Sequence, residues 1–143
     1  MVLAHGKMNE TSWTIIDTNI IIDFLRGIDE AAEYLDSIPE ERRAISPITL
    51  LELGQGIRTK PEKERIIRFL KAYRIKVLAM TNSTYILSDN LFDQYEKRGL
   101  DLVDSMIASS CIENKSRLVT RNIRHFEFIN GLFVEKPLYS SER

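Results

Sequence analysis

Short apolar runs alternate with longer segments of helical periodicity along most of the chain. The short runs are rich in β-branched residues and predict buried strands at residues 13–16, 43–45, 75–78, 117–120 and 132–134. The intervening segments place apolar residues three or four positions apart and predict helices at residues 20–26, 29–37, 46–55, 61–73, 83–98 and 101–114. Residues 122–126 are expected to form at most one helical turn. Strands that alternate with helices indicate an α/β fold, with a mainly parallel sheet of four or five strands flanked by helices.

The turn after the first strand carries the first candidate for chemistry. Asp17 ends the apolar run of residues 13–16, and Thr18 and Asn19 follow as favoured N-cap residues for the next helix. In an open parallel sheet, the turns at the carboxyl ends of the strands line the ligand crevice. Asp17 therefore has two interpretations, a site residue or a helix cap.

Length and composition restrict the class of protein. The chain has 143 residues and 43% hydrophobic residues, which suits one globular domain at residues 13–137, with a polar extension at 1–12 and a tail at 138–143. Cys111 is the single cysteine and only two histidines occur, so neither an internal disulfide nor a structural zinc site is expected. No apolar run is long enough to span a membrane. We expect a cytoplasmic protein, and the net charge of −1 means that any basic surface is local.

Three acids occupy comparable places in the predicted fold. Asp17 follows the first strand, Glu52 lies in the helix after the second strand, and Asp104 lies in the first turn of the helix before the fourth strand. Such positions can converge on one edge of a parallel sheet. Because clustered carboxylates repel each other, they indicate a cation, and hard oxygen ligands suit Mg²⁺ or Mn²⁺.

Each acid also has an interpretation without chemistry. The segment from Thr49 to Glu52 matches a capping box, in which Glu52 satisfies only backbone donors. Asp101 and Asp104 match an N-cap followed by an acid that the helix dipole stabilises. Three further acids are interpreted as solvated or capping charges rather than metal ligands: Asp23, Asp29 and Asp101.

Four segments together resemble the motifs of PIN-domain ribonucleases, and more closely those of the VapC-type toxins of VapBC toxin–antitoxin pairs. They are Ile16-Asp17-Thr18-Asn19, Ile48-Thr49-Leu50-Leu51-Glu52-Leu53, Asp104-Ser105-Met106-Ile107-Ala108, and Val119-Thr120-Arg121-Asn122 with Phe126. The resemblance covers residues 13–135. It implies a PIN-like three-layer sandwich, a Mg²⁺- or Mn²⁺-dependent endoribonuclease, a homodimer, and a cognate antitoxin that covers the active site.

The resemblance also implies roles for individual residues. Asp17, Glu52 and Asp104 match the three acids of the family, as catalytic residues and metal ligands. Many relatives carry a further acid where this chain has Asn122 or His125, so Asn122 is expected to orient water or a metal-bound ligand. Supporting roles fall to Thr18, Asn19 and Thr120.

Basic residues form two groups that suit RNA phosphates. Residues 57–76 carry eight basic and two acidic side chains, and Lys115, Arg117, Arg121 and Arg124 form a second group. Arg121 and Arg124 are the candidates for direct contact with RNA. A charged helix face is also often simply solvated. Separately, the helices between residues 29 and 73 are expected to expose an apolar surface for association, formed by Tyr34, Leu35, Leu53, Ile57, Phe69 and Tyr73.

Two other functions compete with the ribonuclease. A Mg²⁺-dependent phosphatase that forms an aspartyl phosphate is disfavoured, because Asn19 stands where haloacid-dehalogenase-like phosphatases have a second acid. A non-catalytic RNA- or partner-binding module of the same fold is the other alternative. Cleavage of RNA that depends on divalent metal and on Asp17 distinguishes the enzyme from the module.

Overall fold

Strand β1 (Thr14–Ile16) lies at the centre of a parallel sheet in the computed structural model, which describes residues 12–139. The order of strands in the sheet is β3-β2-β1-β4-β5, and every neighbouring pair is parallel. The other strands are β2 (Arg43–Ile45), β3 (Lys76–Val77), β4 (Arg117–Val119) and β5 (Phe133–Glu135). The helices are α1 (Thr18–Leu25), α2 (Asp29–Ser37), α3 (Pro47–Gln55), α4 (Lys60–Ala72), α5 (Asn82–Tyr95) and α6 (Leu102–Glu113). The predicted α/β fold is confirmed.

Alternation along β1 divides the core into two layers. Ile15 packs into one cluster, which contains Leu91 of α5 and Ile107 of α6. Ile16 packs into the other, together with residues of α1, α2 and α4. Neighbouring side chains of a strand point to opposite faces of the sheet, so each face receives one of the two fully buried isoleucines. The result is the expected three-layer sandwich, with the sheet between two layers of helices.

The register of the sheet aligns the carboxyl ends of its three central strands. Ile16 pairs with Val119, and the backbone N–H of Asp17 donates to the carbonyl of Val119 over 2.9 Å. Ser46 follows β2 and Thr120 follows β4 at the same edge. Residues that are far apart in sequence therefore meet beside Asp17.

One helix start differs from the prediction. Helix α1 begins at Thr18, and its N-cap is Asp17 rather than Thr18 or Asn19. Helix α3 agrees with the predicted segment: its N-cap is Ser46, whose hydroxyl accepts from the backbone N–H of Ile48. Thr49 is therefore inside the first turn and fully buried, so the capping-box interpretation of Glu52 is wrong.

The distribution of apolar side chains corrects the expected association surface. Leu35, Leu53 and Phe69 are buried in the core, because α2, α3 and α4 all pack against the sheet or against α1. Large apolar side chains are exposed elsewhere, at Leu50, Leu51, Ile67, Val77, Tyr85, Ile86, Leu102, Val103 and Leu138. Across residues 12–139, none of the helices has the length and apolar character needed to cross a membrane. Residues 1–11 and 140–143, and with them most of the predicted extension and tail, lie outside the described part.

Candidate active site

Asp17 is a buried carboxylate held by three donors. Its Oδ1 accepts from the backbone N–H of Thr18 over 2.8 Å, and its Oδ2 accepts from the Thr120 hydroxyl over 2.6 Å and from the Asn19 amide over 3.2 Å. Burial raises the pKa of Asp17, and the negative charge of Glu52 raises it further. The bonds from Thr120 and Thr18 oppose this rise without cancelling it. The side chain is thus the N-cap of α1, and its burial disfavours the charged form of the carboxyl group.

Thr18 links the first two acids. Its backbone N–H binds Asp17, and its hydroxyl donates to Oε1 of Glu52 over 2.6 Å. The hydroxyl oxygens of Thr18 and Thr49 lie 3.0 Å apart in the buried space between α1 and α3. Glu52 itself is half-buried on the second turn of α3. The pair of threonines therefore fixes one oxygen of Glu52 toward the end of β1.

Asp104 completes the acidic group from helix α6. Asp101 is the N-cap of that helix and accepts from the backbone N–H of Asp104 over 2.7 Å, as the sequence indicated. Burial raises the pKa of Asp104 to about 7, with further contributions from the charges of Asp101 and Asp17. The Glu52 charge also raises it, and His125 lowers it, with Nδ1 at 3.5 Å from Oδ2 of Asp104. The three predicted acids thus lie near enough to sense one another's charge.

The carboxylate oxygens of these three acids suit a divalent cation chemically, although the side chains are not positioned to coordinate one. Within residues 12–139, no group of three or more His, Cys, Asp or Glu side chains is positioned to hold a metal ion. Glu52 is held by Thr18, and Asp104 lies beside His125. The three acids offer hard carboxylate oxygens, which Mg²⁺ and Mn²⁺ prefer. A cation would also offset the negative charges that, together with burial, raise the pKa of Asp17 and Asp104.

The loop after β4 supplies polar groups to the same edge. Thr120 is fully buried, and its hydroxyl oxygen also accepts from the backbone N–H of Asn122 over 3.0 Å. The backbone N–H of Arg121 donates to the side-chain oxygen of Asn19 over 3.3 Å. Asn122 and Arg124 are exposed at this edge, where the 3₁₀ turn Ile123–His125 begins. The expected single turn is thereby confirmed.

Asp23 and Arg121 differ from their predicted environments. Asp23 is only 2% exposed, so the interpretation as a solvated or capping charge is wrong. The guanidinium of Arg121 donates to it from Nε over 2.6 Å and from Nη2 over 3.3 Å. The charge of Arg121 is therefore already paired inside the protein. The position of Asp23 in the otherwise apolar helix α1 is the signal in the sequence that indicates a buried partner.

Two members of the second basic group lie at the other edge of the sheet. Lys115 precedes β4 and Arg117 begins it, whereas the acids gather where β4 ends. A strand rises about 3.3 Å per residue, so Arg117 starts about 10 Å from Thr120. Arg117 instead pairs with Glu135 across 3.3 Å. The expectation that Lys115 and Arg117 lie beside the site is wrong, because they lie at the start of β4 and the acids lie where β4 ends.

The fold and the site together define an α/β protein with an acidic, cation-compatible centre at the carboxyl edge of a parallel sheet. The chain belongs to the PIN domain family, whose pattern matches residues 14–130. Ribonuclease VapC19 of Mycobacterium tuberculosis is 33% identical over 124 residues, which cover 82% of this chain and 95% of that protein. These relationships confirm the resemblance to VapC-type PIN proteins.

Further relatives agree in sequence and in structure. The tRNA(fMet)-specific endonuclease VapC of Salmonella typhimurium is 27% identical over 125 residues, covering 85% of this chain and 95% of that protein. Among solved structures, a chain of a toxin–antitoxin complex from Klebsiella pneumoniae superposes with a TM-score of 0.74 at 29% identity. The match covers 87% of this chain and 97% of that one. The similarity therefore extends over nearly the whole length of these proteins.

Proposed function

We propose that the protein is a Mg²⁺- or Mn²⁺-dependent endoribonuclease and the toxin of a toxin–antitoxin pair. The observation that carries the proposal is Asp17, a buried carboxylate at the end of the central strand whose charge is coupled to those of Glu52 and Asp104. The related VapC proteins named as ribonucleases and endonucleases support the choice of RNA as substrate. With RNA as its proposed substrate, the protein would act in the cytoplasm.

The three acids would have different roles in binding the cation. Asp17 and Asp104 would be the direct ligands of the ion, and Glu52 would bind it or orient a water molecule through the oxygen that does not accept from Thr18. When bound, the ion supplies an acidified water molecule and offsets negative charge at the phosphate. Asn122, exposed at the same edge, orients the water or a phosphate oxygen. Thr18, Asn19 and Thr120 keep Asp17 and Glu52 in place through the hydrogen bonds described above.

Basic side chains hold the RNA backbone. Arg124 is exposed next to the site and is our candidate for direct contact with a phosphate. Helix α4 adds exposed cations at Lys60, Lys63, Arg65, Arg68 and Lys71. Such contacts are electrostatic and independent of base sequence. Arg121 is already paired with Asp23, so its contribution to RNA binding is mainly indirect.

We propose that the antitoxin binds in a groove beside Glu52. It has a volume of about 350 Å³ and is lined by Ile22, Leu25, Leu53, Ile57 and Ile66, with Glu52 at one side. Arg26, Arg65 and Glu62 provide charges at its walls. An apolar segment of a partner in this groove would lie against an acid of the active site and obstruct it. The toxin–antitoxin complex from Klebsiella pneumoniae supports a partner of this kind.

The two alternative functions are weaker. The phosphatase needs a second acid near Asp17, but Asn19 occupies that place and donates its amide to Asp17 and Thr120. The non-catalytic binding module predicts RNA binding without cleavage. An RNA cleavage assay separates the ribonuclease from the binding module.

The decisive experiment measures cleavage of a labelled structured RNA by the purified protein with Mg²⁺, with Mn²⁺ and with EDTA. Cleavage should require the metal and should disappear in Asp17→Asn, which retains the shape of the side chain. Asp29→Asn is the matched control, because it removes the same charge from an exposed position on α2 and should remain active. RNA binding without cleavage under every metal condition would favour the binding module.

A further inference from the structure

Asp23 is a buried carboxylate with three hydrogen bonds and no place in the acidic group itself. It lies on α1, six residues after Asp17, and accepts two bonds from Arg121. The hydroxyl of Tyr139 donates a third bond to its Oδ2 over 2.9 Å. The side chains of Asp23 and Arg121 are 2% and 27% exposed, and desolvating such a pair costs much of the free energy that its attraction returns, so the pair is weak evidence for stability. The backbone contacts of Arg121 show which part of the protein this pair holds in place.

Arg121 connects Asp23 to the active site through its own backbone. Its N–H donates to the Asn19 side chain, whose amide in turn donates to Asp17 and to Thr120. Thr120, the preceding residue, donates the 2.6 Å bond to Asp17. One donor to Oδ2 of Asp17, Thr120, precedes Arg121 in the chain, and the other, Asn19, accepts a hydrogen bond from the Arg121 backbone. Both donors are therefore connected to the residue that Asp23 holds.

We propose that Asp23 is a positioning residue, which acts through Arg121 to hold the loop Thr120–Asn122 against Asp17. The bidentate contact fixes the guanidinium plane and thereby the start of the loop, so that the Thr120 hydroxyl and the Asn19 amide meet Oδ2 of Asp17. Oδ2 then keeps one orientation toward the cation. Tyr139 ties the segment after β5 to the same carboxylate but lies outside the path to Asp17. The inference rests on the proposed ribonuclease function for its kinetic consequence, and on the fold alone for its structural one.

The structural consequence is tested in the metal-free protein by hydrogen exchange. In Asp23→Asn, the amides of Arg121 and Asn122 should exchange about tenfold faster or more, because each has lost a bond that depends on the anchored loop. Arg121→Gln should give the same result. In the double variant, the two amides should exchange no faster than in either single variant. The double variant also removes both charges of the pair, so it keeps the test valid if a single variant fails to fold. Tyr139→Phe should leave both amides protected.

The kinetic consequence is tested by separating kcat from KM. Asp23→Asn and Arg121→Gln should lower kcat by roughly 10- to 100-fold, as expected for partners that orient a ligand, and change KM for RNA by less than about twofold. Arg43→Gln is the matched control. Arg43 is a buried arginine, whose guanidinium donates to the carbonyls of Ile38 and Tyr73 near the other end of the sheet. It should lower thermal stability and leave kcat and the loop amides unchanged.

Two results would overturn the inference. Unchanged exchange at Arg121 and Asn122 in a folded Asp23→Asn protein would show that the pair does not hold the loop. A raised KM with unchanged kcat in Arg121→Gln would show that the guanidinium contacts RNA directly. If the wild-type protein cleaves no RNA with any metal, the proposed function fails, and the exchange experiment still decides whether Asp23 positions the loop.

Discussion

The Thr120 hydroxyl donates to Oδ2 of Asp17 over 2.6 Å, joining the ends of two neighbouring parallel strands. This bond lowers the pKa of Asp17 against the effect of burial. Thr120→Val should therefore make Asp17 a weaker metal ligand, and the Mn²⁺ concentration for half-maximal cleavage should rise about tenfold or more. Thr120→Ser keeps the hydroxyl and serves as the control. Equal Mn²⁺ dependence in the valine and serine variants would contradict this role.

Asp104→Asn should abolish cleavage without disrupting the fold. The substitution preserves the side-chain shape but removes a charged ligand for the cation. RNA binding, measured by fluorescence anisotropy in EDTA, should remain within about twofold, because no basic side chain is changed. Asp101→Asn alters the neighbouring N-cap and should retain most activity. An Asp104→Asn protein as active as the wild type would refute the assignment.

The same carboxyl predicts how stability depends on pH in the absence of metal. The folded-state pKa of Asp104 is about 7, above the ordinary value of 3.8, so the folded protein holds a proton that the unfolded chain releases. The free energy of unfolding should therefore fall as pH rises from about 4 to about 7. Asp104→Asn should flatten this fall and raise stability at pH 7.5 by roughly 1–2 kcal/mol, measured by urea denaturation in EDTA. A steeper fall in the variant would contradict the prediction.

His125→Ala should leave most of the metal-dependent activity. His125 lies 3.5 Å from Asp104, but its side chain is 58% exposed, and the cation rather than an imidazole is expected to activate the water. Single-turnover cleavage at saturating Mn²⁺ should fall by less than about tenfold, below the usual loss on removing a general base. Metal-independent cleavage in EDTA that disappears in His125→Ala would replace this mechanism with acid–base catalysis.

Arg124→Gln should weaken RNA binding in a manner that depends on salt. Removing one phosphate contact should reduce the slope of log K against log salt concentration by roughly 0.7–0.9. Arg117→Gln removes the same charge at the opposite end of β4, where Arg117 pairs with Glu135, and should leave the slope unchanged. The two variants are compared by anisotropy over a range of KCl concentrations. Equal slopes for both would place the RNA away from Arg124.

The protein should form a homodimer at micromolar concentration. Exposed apolar side chains often mark association surfaces, and Leu51 and Ile86 are 66% and 63% exposed. Sedimentation velocity should give about twice the monomer mass, and Leu51→Glu or Ile86→Glu should shift the protein toward monomer if its side chain lies in the interface. A wild-type monomer at this concentration would contradict the prediction.

Local patterns determined much of this protein. The β-branched runs and helical periodicity predicted the five strands and the order of elements, because each depends on residues close in sequence. The places of Asp17, Glu52 and Asp104 near strand ends or helix starts were sufficient to nominate them. The N-cap role of Asp101 likewise follows from the four residues that begin α6.

Only the tertiary structure decided which distant side chains meet. The burial of Asp23 with Arg121 depends on contact between α1 and the loop after β4, separated by 98 positions. Arg117 lies away from the site because it begins β4, and the two ends of this strand lie at opposite edges of the sheet. The hydroxyl oxygens of Thr18 and Thr49 lie 3.0 Å apart because α1 packs beside α3. Such contacts arise from strand pairing and helix packing, whose partners no local pattern specifies, and they determine the environment of each acid.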